Sequence, residues 1–344
     1  MTSREVFILG AGFSRAISKH MPLVDELSQH VLTRDTLADP SLASFANDFE
    51  MCLSYLAEDQ PWLSEADNLS NRSKFLEASR SLARVILELQ ARALADDVPT
   101  WLSELILTWH ERRSIVVTFN YDTLVEKAYT QMVPRVPLSE VDHRELYAVP
   151  VPSIGSRMSA KYGFEPRETF QFIKLHGSIN WCYSGARSFY GETIYNIGIR
   201  NGWGPSAIDP ESDLEDKAPD KVHLVIPPTT AKSSLFNNEI VRSQWRLAQR
   251  YVGAASRVYC LGYSLPMSDM MIRFLLATST PTKSIVPVNM GNVAGRYRRL
   301  LVPHRINEAY TRRRASIPSF VGDWVRNRVQ ARYRPRKRLR SGPS

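Results

Sequence analysis

Five short polar or glycine-rich segments of the sequence each follow an apolar run rich in Val, Ile and Leu. Glycine lets a backbone approach a phosphate closely, Asn and Ser can orient hydroxyl groups, and His accepts protons near neutral pH. The segments are Gly10-Ala11-Gly12-Phe13-Ser14, Thr118-Phe119-Asn120-Tyr121-Asp122, Leu175-His176-Gly177-Ser178, Gly262-Tyr263-Ser264-Leu265-Pro266 and Val288-Asn289. Because ligands of open α/β sheets bind at the carboxyl ends of the strands, this placement predicts one shared ligand site.

The first segment has the residue types of a diphosphate site. Its glycines permit a tight turn, and a helix that begins there would direct N–H groups and the positive end of its dipole toward an anion. A purely structural turn explains Gly10 and Gly12 equally well. Arg15 stands where a dinucleotide fingerprint has a third Gly or Ala, and no strand ending in an acid follows about 20 residues on, as a dehydrogenase needs.

Asn120 and Asp122 follow the second apolar run. An Asn side chain both donates and accepts hydrogen bonds, so Asn120 could fix a ribose hydroxyl or an attacking water. A role in stabilising the turn is the alternative. Asp122 could contact a ligand, or it could be the N-cap of the helix predicted for residues 123–132.

His176 leaves the third run at a glycine and is well placed to act as a general base, with a structural histidine as the alternative. The other six histidines show no metal-ligand spacing such as His-Glu-x-x-His. Cys52, Cys182 and Cys260 form no Cys-x-x-Cys pair. We therefore expect neither a metal site nor a disulfide framework.

The last two segments suit the other half of a dinucleotide. Gly262 and Ser264 could meet phosphate or ribose, and Asn289 could meet adenosine. A turn with a helix start near Pro266, and an Asn that merely ends a strand, are the structural alternatives.

Unbroken apolar runs are typical of parallel strands that are covered on both faces. The sequence predicts strands at residues 6–9, 115–119, 170–175, 223–226, 258–261 and 285–288. Residues 22–113 carry helical periodicity, as at Phe75, Leu82 and Ile86, and no convincing strand. We therefore expect an α/β protein: a Rossmann-like, mostly parallel sheet with a helical insertion (22–113) after the first strand, all within residues 1–325.

The net charge of +9 is concentrated near the C-terminus, where no acid follows Asp323. The basic residues there are Arg326, Arg328, Arg332, Arg334, Arg336, Lys337, Arg338 and Arg340. We expect residues 326–344 to form a disordered basic tail, with an arm that binds nucleic acid or a partner as the alternative. No apolar stretch has the length of a secretory signal or a membrane span, so we expect a cytoplasmic protein without membrane contact.

Taken in order, the five segments resemble those of the sirtuin-like domains found in bacterial antiphage defence proteins, over about residues 4 to 290. The segments around Asn120 and His176 are the most specific. The resemblance implies that Asn120 and His176 flank the nicotinamide ribose of NAD+ and that Asp122 contacts the nicotinamide side. It also implies diphosphate and ribose contacts for Gly10, Ala11, Gly12 and Ser14, and adenosine contacts for Gly262, Ser264 and Asn289.

Two departures separate the sequence from protein-deacylating sirtuins. Those enzymes have a zinc module with paired Cys-x-x-Cys, and they have Asp-Phe-Arg where this chain reads His20-Met21-Pro22-Leu23-Val24-Asp25. The helical insertion instead resembles that of defence-type NAD hydrolases, which are silent until triggered.

The resemblance therefore implies an NAD+ hydrolase (a glycohydrolase) that releases nicotinamide and ADP-ribose, or a cyclised form, without a metal. It would deplete NAD+ in antiphage defence and would answer to an activating partner protein or to homo-oligomer assembly. The alternatives are a non-catalytic NAD+ or ADP-ribose sensor, and a sirtuin-like deacylase or ADP-ribosyltransferase.

Overall fold

The computed structural model of the chain defines eight strands, arranged in two sheets, and the helices around them. The described residues are 5–24, 26–27, 30, 40–45, 48–133, 143–154, 168–185, 191–210, 212, 216–226, 234–279, 284–301 and 306–333. The strands are β1 (Glu5–Leu9), β2 (Ile115–Thr118), β3 (Gln171–Lys174), β4 (Gly177–Tyr183), β5 (Tyr195–Asn196), β6 (Val222–Val225), β7 (Arg257–Leu261) and β8 (Ser284–Val288). The α-helices are α1 (Ala11–Ile17), α2 (Phe49–Ala57), α3 (Glu65–Leu94), α4 (Thr100–Arg112), α5 (Leu124–Met132), α6 (Glu239–Ala254), α7 (Met270–Ser279), α8 (Ala294–Leu300), α9 (Ala309–Arg312) and α10 (Ile317–Tyr333).

The larger sheet is parallel throughout and has the strand order β3-β2-β1-β7-β8. β2 and β3 lie on one side of β1, and β7 and β8 lie on the other, so the direction of chain progression reverses at β1. Such a reversal opens a crevice at the carboxyl ends of the strands. Both faces are covered, and β1 is fully buried from Val6 to Leu9, which explains the unbroken apolar run. The predicted α/β fold class is confirmed.

Between β1 and β2 the described residues are helical and contain no strand. Helix α3 begins at its N-cap Ser64, whose hydroxyl accepts a hydrogen bond from Asp67 N at 3.2 Å. Its buried face includes Phe75, Leu82 and Ile86, at the spacing seen in the sequence. This helix packs against α2 and β6, and the predicted helical insertion after the first strand is confirmed.

The strand predicted at residues 223–226 exists, but its expected place in the parallel sheet is wrong. It is β6 in a three-stranded sheet of order β5-β4-β6, where it pairs antiparallel with β4. A turn was expected at Gly177, whereas β4 begins at this residue. Gly177 has a φ of +81°, and an added Cβ would lie 2.2 Å from Leu224 O. The glycine therefore turns the chain from β3 directly into a strand that is buried along its whole length.

The C-terminal helix α10 covers one face of the parallel sheet. The Trp324 ring meets Phe7 edge-on at 5.2 Å, and the Phe320 ring lies 5.2 Å from Tyr259. Because these buried side chains anchor the helix, it continues to Tyr333, past the boundary at residue 326 where the disordered tail was expected to begin. Residues 334–344 of that expected tail lie outside the described residues.

Candidate active site

The structure brings the five predicted segments to one edge of the parallel sheet. Gly10 directly follows β1, Gly262 follows β7 and Asn289 follows β8. Asn120 and His176 each stand two positions beyond the ends of β2 and β3. Segments that are far apart in sequence therefore share the carboxyl edge at which ligands of open α/β sheets bind.

Asn120 is held in one orientation by its side-chain amide. Nδ2 donates hydrogen bonds to Gly10 O at 3.0 Å and to Ser14 Oγ at 2.8 Å, which uses both hydrogens of the group. The main-chain N–H of Asn120 donates to Thr118 Oγ1 at 3.1 Å. No described residue donates to Oδ1, and the side chain is half-buried. The amide oxygen is thus the atom that Asn120 can offer to a ligand or a water molecule.

Ser14 and Asp122 extend this arrangement into the interior. Ser14 Oγ donates to Asp122 Oδ2 at 2.6 Å while accepting from Asn120. Asp122 Oδ1 accepts from Leu124 N at 3.2 Å, so Asp122 binds the first turn of α5 from one position before its N-cap, which is Thr123. Both side chains are buried. Their expected ribose and nicotinamide contacts stay predictions. The hydrogen bonds that Ser14 and Asp122 make in the structure orient Asn120.

The glycines of the first and fourth segments let two turns pack backbone against backbone. An added Cβ on Gly12 would lie 2.8 Å from Gly262 O, and one on Gly262, at a φ of +63°, would lie 2.3 Å from Phe13 N. Gly12 N donates to Gly262 O at 3.0 Å, and Phe13 N donates to Gly10 O at 2.8 Å. The Gly12 and Phe13 amides thus already have acceptors within the protein. The structure therefore supports a structural turn as the role of Gly10 and Gly12. The predicted diphosphate contacts of Gly10, Ala11 and Gly12 stay untested.

His176 is buried, with 4% of its surface exposed. Its ring lies 5.0 Å from the Phe119 ring and 6.3 Å from Trp245 of α6. Nε2 has no hydrogen-bond partner among the described residues. Burial lowers the pKa of the imidazole, and the negative charge of Asp269 acts in the opposite direction. A buried, neutral imidazole with an unsatisfied nitrogen is suited to accept a proton from a bound group.

Asp269 was missed by the sequence analysis. It precedes α7, is 3% exposed, and accepts a hydrogen bond from Tyr263 OH at 2.6 Å through Oδ2. Its other oxygen, Oδ1, has no partner among the described residues. An acid just before a helical run resembles an ordinary N-cap, so the sequence held a signal for structure but none for proximity to His176.

A buried ion pair supports the main chain next to Asn120. Lys174 Nζ donates to Asp122 O at 2.7 Å and to Glu126 Oε1 at 3.0 Å, and both side chains of the pair are fully buried. Burial raises the pKa of Glu126, although Lys174 opposes the effect. Tyr121 O accepts from Ile179 N at 3.0 Å, which ties the same turn to β4. Asn120 therefore stands on a rigid base.

Ser264 and Asn289 lie at the β7 and β8 side of the same edge. Asn289 is half-buried, and its Oδ1 accepts from Gly291 N at 2.7 Å. Ser264 is half-buried, and its carbonyl oxygen accepts from Arg296 of α8 at 3.4 Å. Both stand on the far side of β1 from Asn120 and His176, as the predicted adenosine half would require, and their ligand contacts stay predictions.

Several solved structures of Sir2 proteins match the chain. One Sir2 protein bound to a propionylated peptide is 14% identical, with a TM-score of 0.42, over 95% of this chain and 92% of the other. A complex of Sir2 with a p53 peptide and NAD+ is 12% identical, with a TM-score of 0.39, over 96% and 94%. No protein-family model and no curated protein match this chain.

Two features are absent from the described ranges. No helix there is long and apolar enough to cross a membrane. In the same part of the chain, no cluster of three or more His, Cys, Asp or Glu side chains is arranged to hold a metal ion.

Proposed function

We propose that the protein hydrolyses NAD+ at the nicotinamide–ribose bond and releases nicotinamide and ADP-ribose. The observation that carries the proposal is the pairing of two acceptors at one sheet edge. Asn120 is fixed by two donated hydrogen bonds that leave Oδ1 as its acceptor, and His176 Nε2 has no described partner. The order of the five segments, which resembles that of sirtuin-like defence domains, supports NAD+ as the substrate.

Cleavage of the nicotinamide–ribose bond requires few catalytic groups from the protein. Nicotinamide carries a positive charge in NAD+, so it leaves with the bonding electron pair and needs no proton. Water then forms the new bond to the ribose carbon. In this mechanism Asn120 Oδ1 orients the water or a ribose hydroxyl, and His176 Nε2 accepts the proton that is lost, a contribution typically of ~10² to 10⁴ in rate.

Burial of His176 favours control by a trigger. With 4% of its surface exposed, the ring is reached only when covering groups move apart. A protein that depletes NAD+ must stay inactive in a healthy cell, so this burial suits a role in antiphage defence. An activating partner protein or assembly into a homo-oligomer would supply the opening.

The same burial favours a second candidate, a non-catalytic NAD+ or ADP-ribose sensor. A sensor needs the cleft and the fixed Asn120 amide but no proton transfer. A transferase that moves ADP-ribose to protein, or a deacylase, would need an acceptor or peptide groove, for which the described residues offer no specific support.

The test is nicotinamide release from NAD+, followed by chromatography, with the full chain alone and at concentrations that favour assembly. We expect release by the wild type, and a loss of about 10²-fold or more for His176→Ala and Asn120→Ala. Asn327→Ala, at an exposed position of α10, is the control and keeps the wild-type rate.

One outcome would contradict the assigned mechanism, and two others would contradict the hydrolase itself. Equal release from all variants removes Asn120 and His176 from the mechanism. NAD+ binding by calorimetry without release under any condition supports the sensor. Label that passes from NAD+ to protein supports the transferase.

A further inference from the structure

The loop between β7 and α7 carries a buried carboxylate whose position is fixed. Tyr263 OH donates to Asp269 Oδ2 at 2.6 Å, while Asp269 Oδ1 has no partner in the described part of the chain. A buried carboxylate oxygen without a donor is costly, since such groups are almost always hydrogen-bonded. The presence of this carboxylate in the interior therefore points to a role that uses its charge.

An aromatic layer joins this carboxylate to His176. Tyr263 stacks on Phe119 with ring centroids 4.8 Å apart, and the Phe119 ring also contacts His176, at 5.0 Å. The layer crosses the end of β1 because Gly10 has no side chain there. An added Cβ on Gly10 would lie 2.8 Å from the Tyr263 ring. One strand end from each of β1, β2, β3 and β7 thus contributes to a single cluster.

Asp269 is the described charged group that favours a proton on His176. The two aromatic rings that contact His176, those of Phe119 and Trp245, carry no charge. Tyr121 also lies near Asp269, and burial together with Glu50 and Asp269 raises its pKa well above 10, so it stays neutral. On that side of the cluster, Ser268 Oγ donates a hydrogen bond to Glu50 Oε2 at 3.1 Å.

We propose that Asp269 is a positioning residue for His176: by holding Tyr263 it fixes the layer of Tyr263 and Phe119 rings on which the imidazole packs, and its charge stabilises the imidazolium once Nε2 has taken a proton. The inference rests on the proposed hydrolase. The proton comes from the attacking water or a ribose hydroxyl, it resides on His176 during bond cleavage, and it then passes to solvent. No electrons move to or from Asp269, and Tyr263 keeps its own proton while it holds the carboxylate.

Removal of the charge has two consequences of opposite sign for activity. Without Asp269, the pKa of His176 falls further below its ordinary value, because burial is no longer opposed. The acid limb of the pH–rate profile then moves to lower pH, since the imidazole stays neutral there. The plateau rate falls, because a weaker base accepts the proton less readily. A purely structural role of Asp269 would lower the plateau rate without moving the acid limb of the pH–rate profile.

The experiment titrates His176 in the full chain by NMR with ¹³C-labelled histidine. The His176 signal among the seven histidines is assigned by its loss in His176→Gln. We compare wild type with Asp269→Asn, with Tyr263→Phe, which keeps the ring stack and the carboxylate, and with Asp220→Asn as an exposed carboxylate control. NAD+ cleavage is measured over the same pH range.

We expect Asp269→Asn to lower the pKa of His176, to shift the acid limb the same way, and to reduce the plateau rate about 10- to 100-fold. Tyr263→Phe should give a smaller change in the same direction, and Asp220→Asn none. If Asp269→Asn does not fold, Asp269→Glu and Tyr263→Phe decide. An unchanged His176 pKa in the folded variants overturns the proposal. Since the titration needs no NAD+, it gives its answer even when the wild type proves not to cleave NAD+.

Discussion

The side-chain amide of Asn120 donates a hydrogen bond to the hydroxyl of Ser14, 2.8 Å away, and that hydroxyl donates in turn to Asp122 at 2.6 Å. Ser14 therefore couples the orientation of the buried Asp122 carboxylate to that of Asn120, the residue that we place at the ribose. We call these two hydrogen bonds the relay. Such a chain fixes each member more firmly than a single bond would.

Replacement of Ser14 tests this relay. In Ser14→Ala, one oxygen of Asp122 loses its donor and the Asn120 amide loses an acceptor, so we expect a stability loss of about 1–3 kcal/mol. NAD+ cleavage should fall by more than the unfolded fraction explains, because the amide can rotate. Urea denaturation and nicotinamide release measure the two effects. Ser103→Ala, on the half-buried face of α4, is the matched control, and equal behaviour of the two variants would count against the relay.

Gly262→Ala tests the packing of the two glycine turns. An Ala at this position must adopt a left-handed conformation, which costs about 1–2 kcal/mol, and its Cβ would lie 2.3 Å from Phe13 N. We expect a drop in thermal midpoint larger than the conformational cost alone predicts. Gly253→Ala is the control, because nothing lies within 4 Å of its Cβ position inside α6. That change should stabilise the protein by up to about 1 kcal/mol. Similar midpoints for both variants would contradict the close backbone approach.

The Lys174–Glu126 pair supplies a third prediction. Both groups are fully buried, so Lys174→Met leaves an unpaired carboxylate and should destabilise the fold by about 3–5 kcal/mol in urea denaturation. The double variant Lys174→Met with Glu126→Leu removes both charges and should recover much of that loss. A double variant as unstable as the sum of the single ones would show that the two charges do not interact.

His223 should make stability depend on pH. Burial, with Arg80 and Arg84 of α3 nearby, lowers its pKa from 6.5 to about 4. Below pH 6.5 the unfolded chain takes up a proton that the folded chain refuses, so folding stability falls as the pH drops from 6.5 to about 4. The expected loss over this window is about 3 kcal/mol. Urea midpoints at pH 7 and pH 4.5 measure it, and His223→Leu should have the smaller difference. An equal pH dependence in both proteins would assign the effect to other groups.

Local patterns predicted the parallel strands and the insertion well, because burial on both faces leaves a continuous apolar run and a helix face repeats at a fixed spacing. They failed at His223 and Gly177. The run around His223 indicated a strand, but its partner β4 is set by a pairing across some 40 positions, which no local pattern encodes. Gly177 resembled a turn and nothing more, because the buried polar residues Ser178 and Asn180 interrupt the continuous apolar run that marked the other strands.

The sequence by itself determined the ends of the parallel strands to within one residue, since an unbroken apolar run stops where a buried strand stops. Asn120, His176 and the glycines of two turns were therefore found as candidates before their geometry was known. Only the tertiary structure decided what each one touches. The Asn120 amide is set by Ser14, and the charge that opposes the effect of burial on the pKa of His176 comes from Asp269, which is bonded to a Tyr263 ring that crosses the end of β1 above Gly10. Such contacts arise from the packing of segments that are remote along the chain, and residue type alone does not specify them.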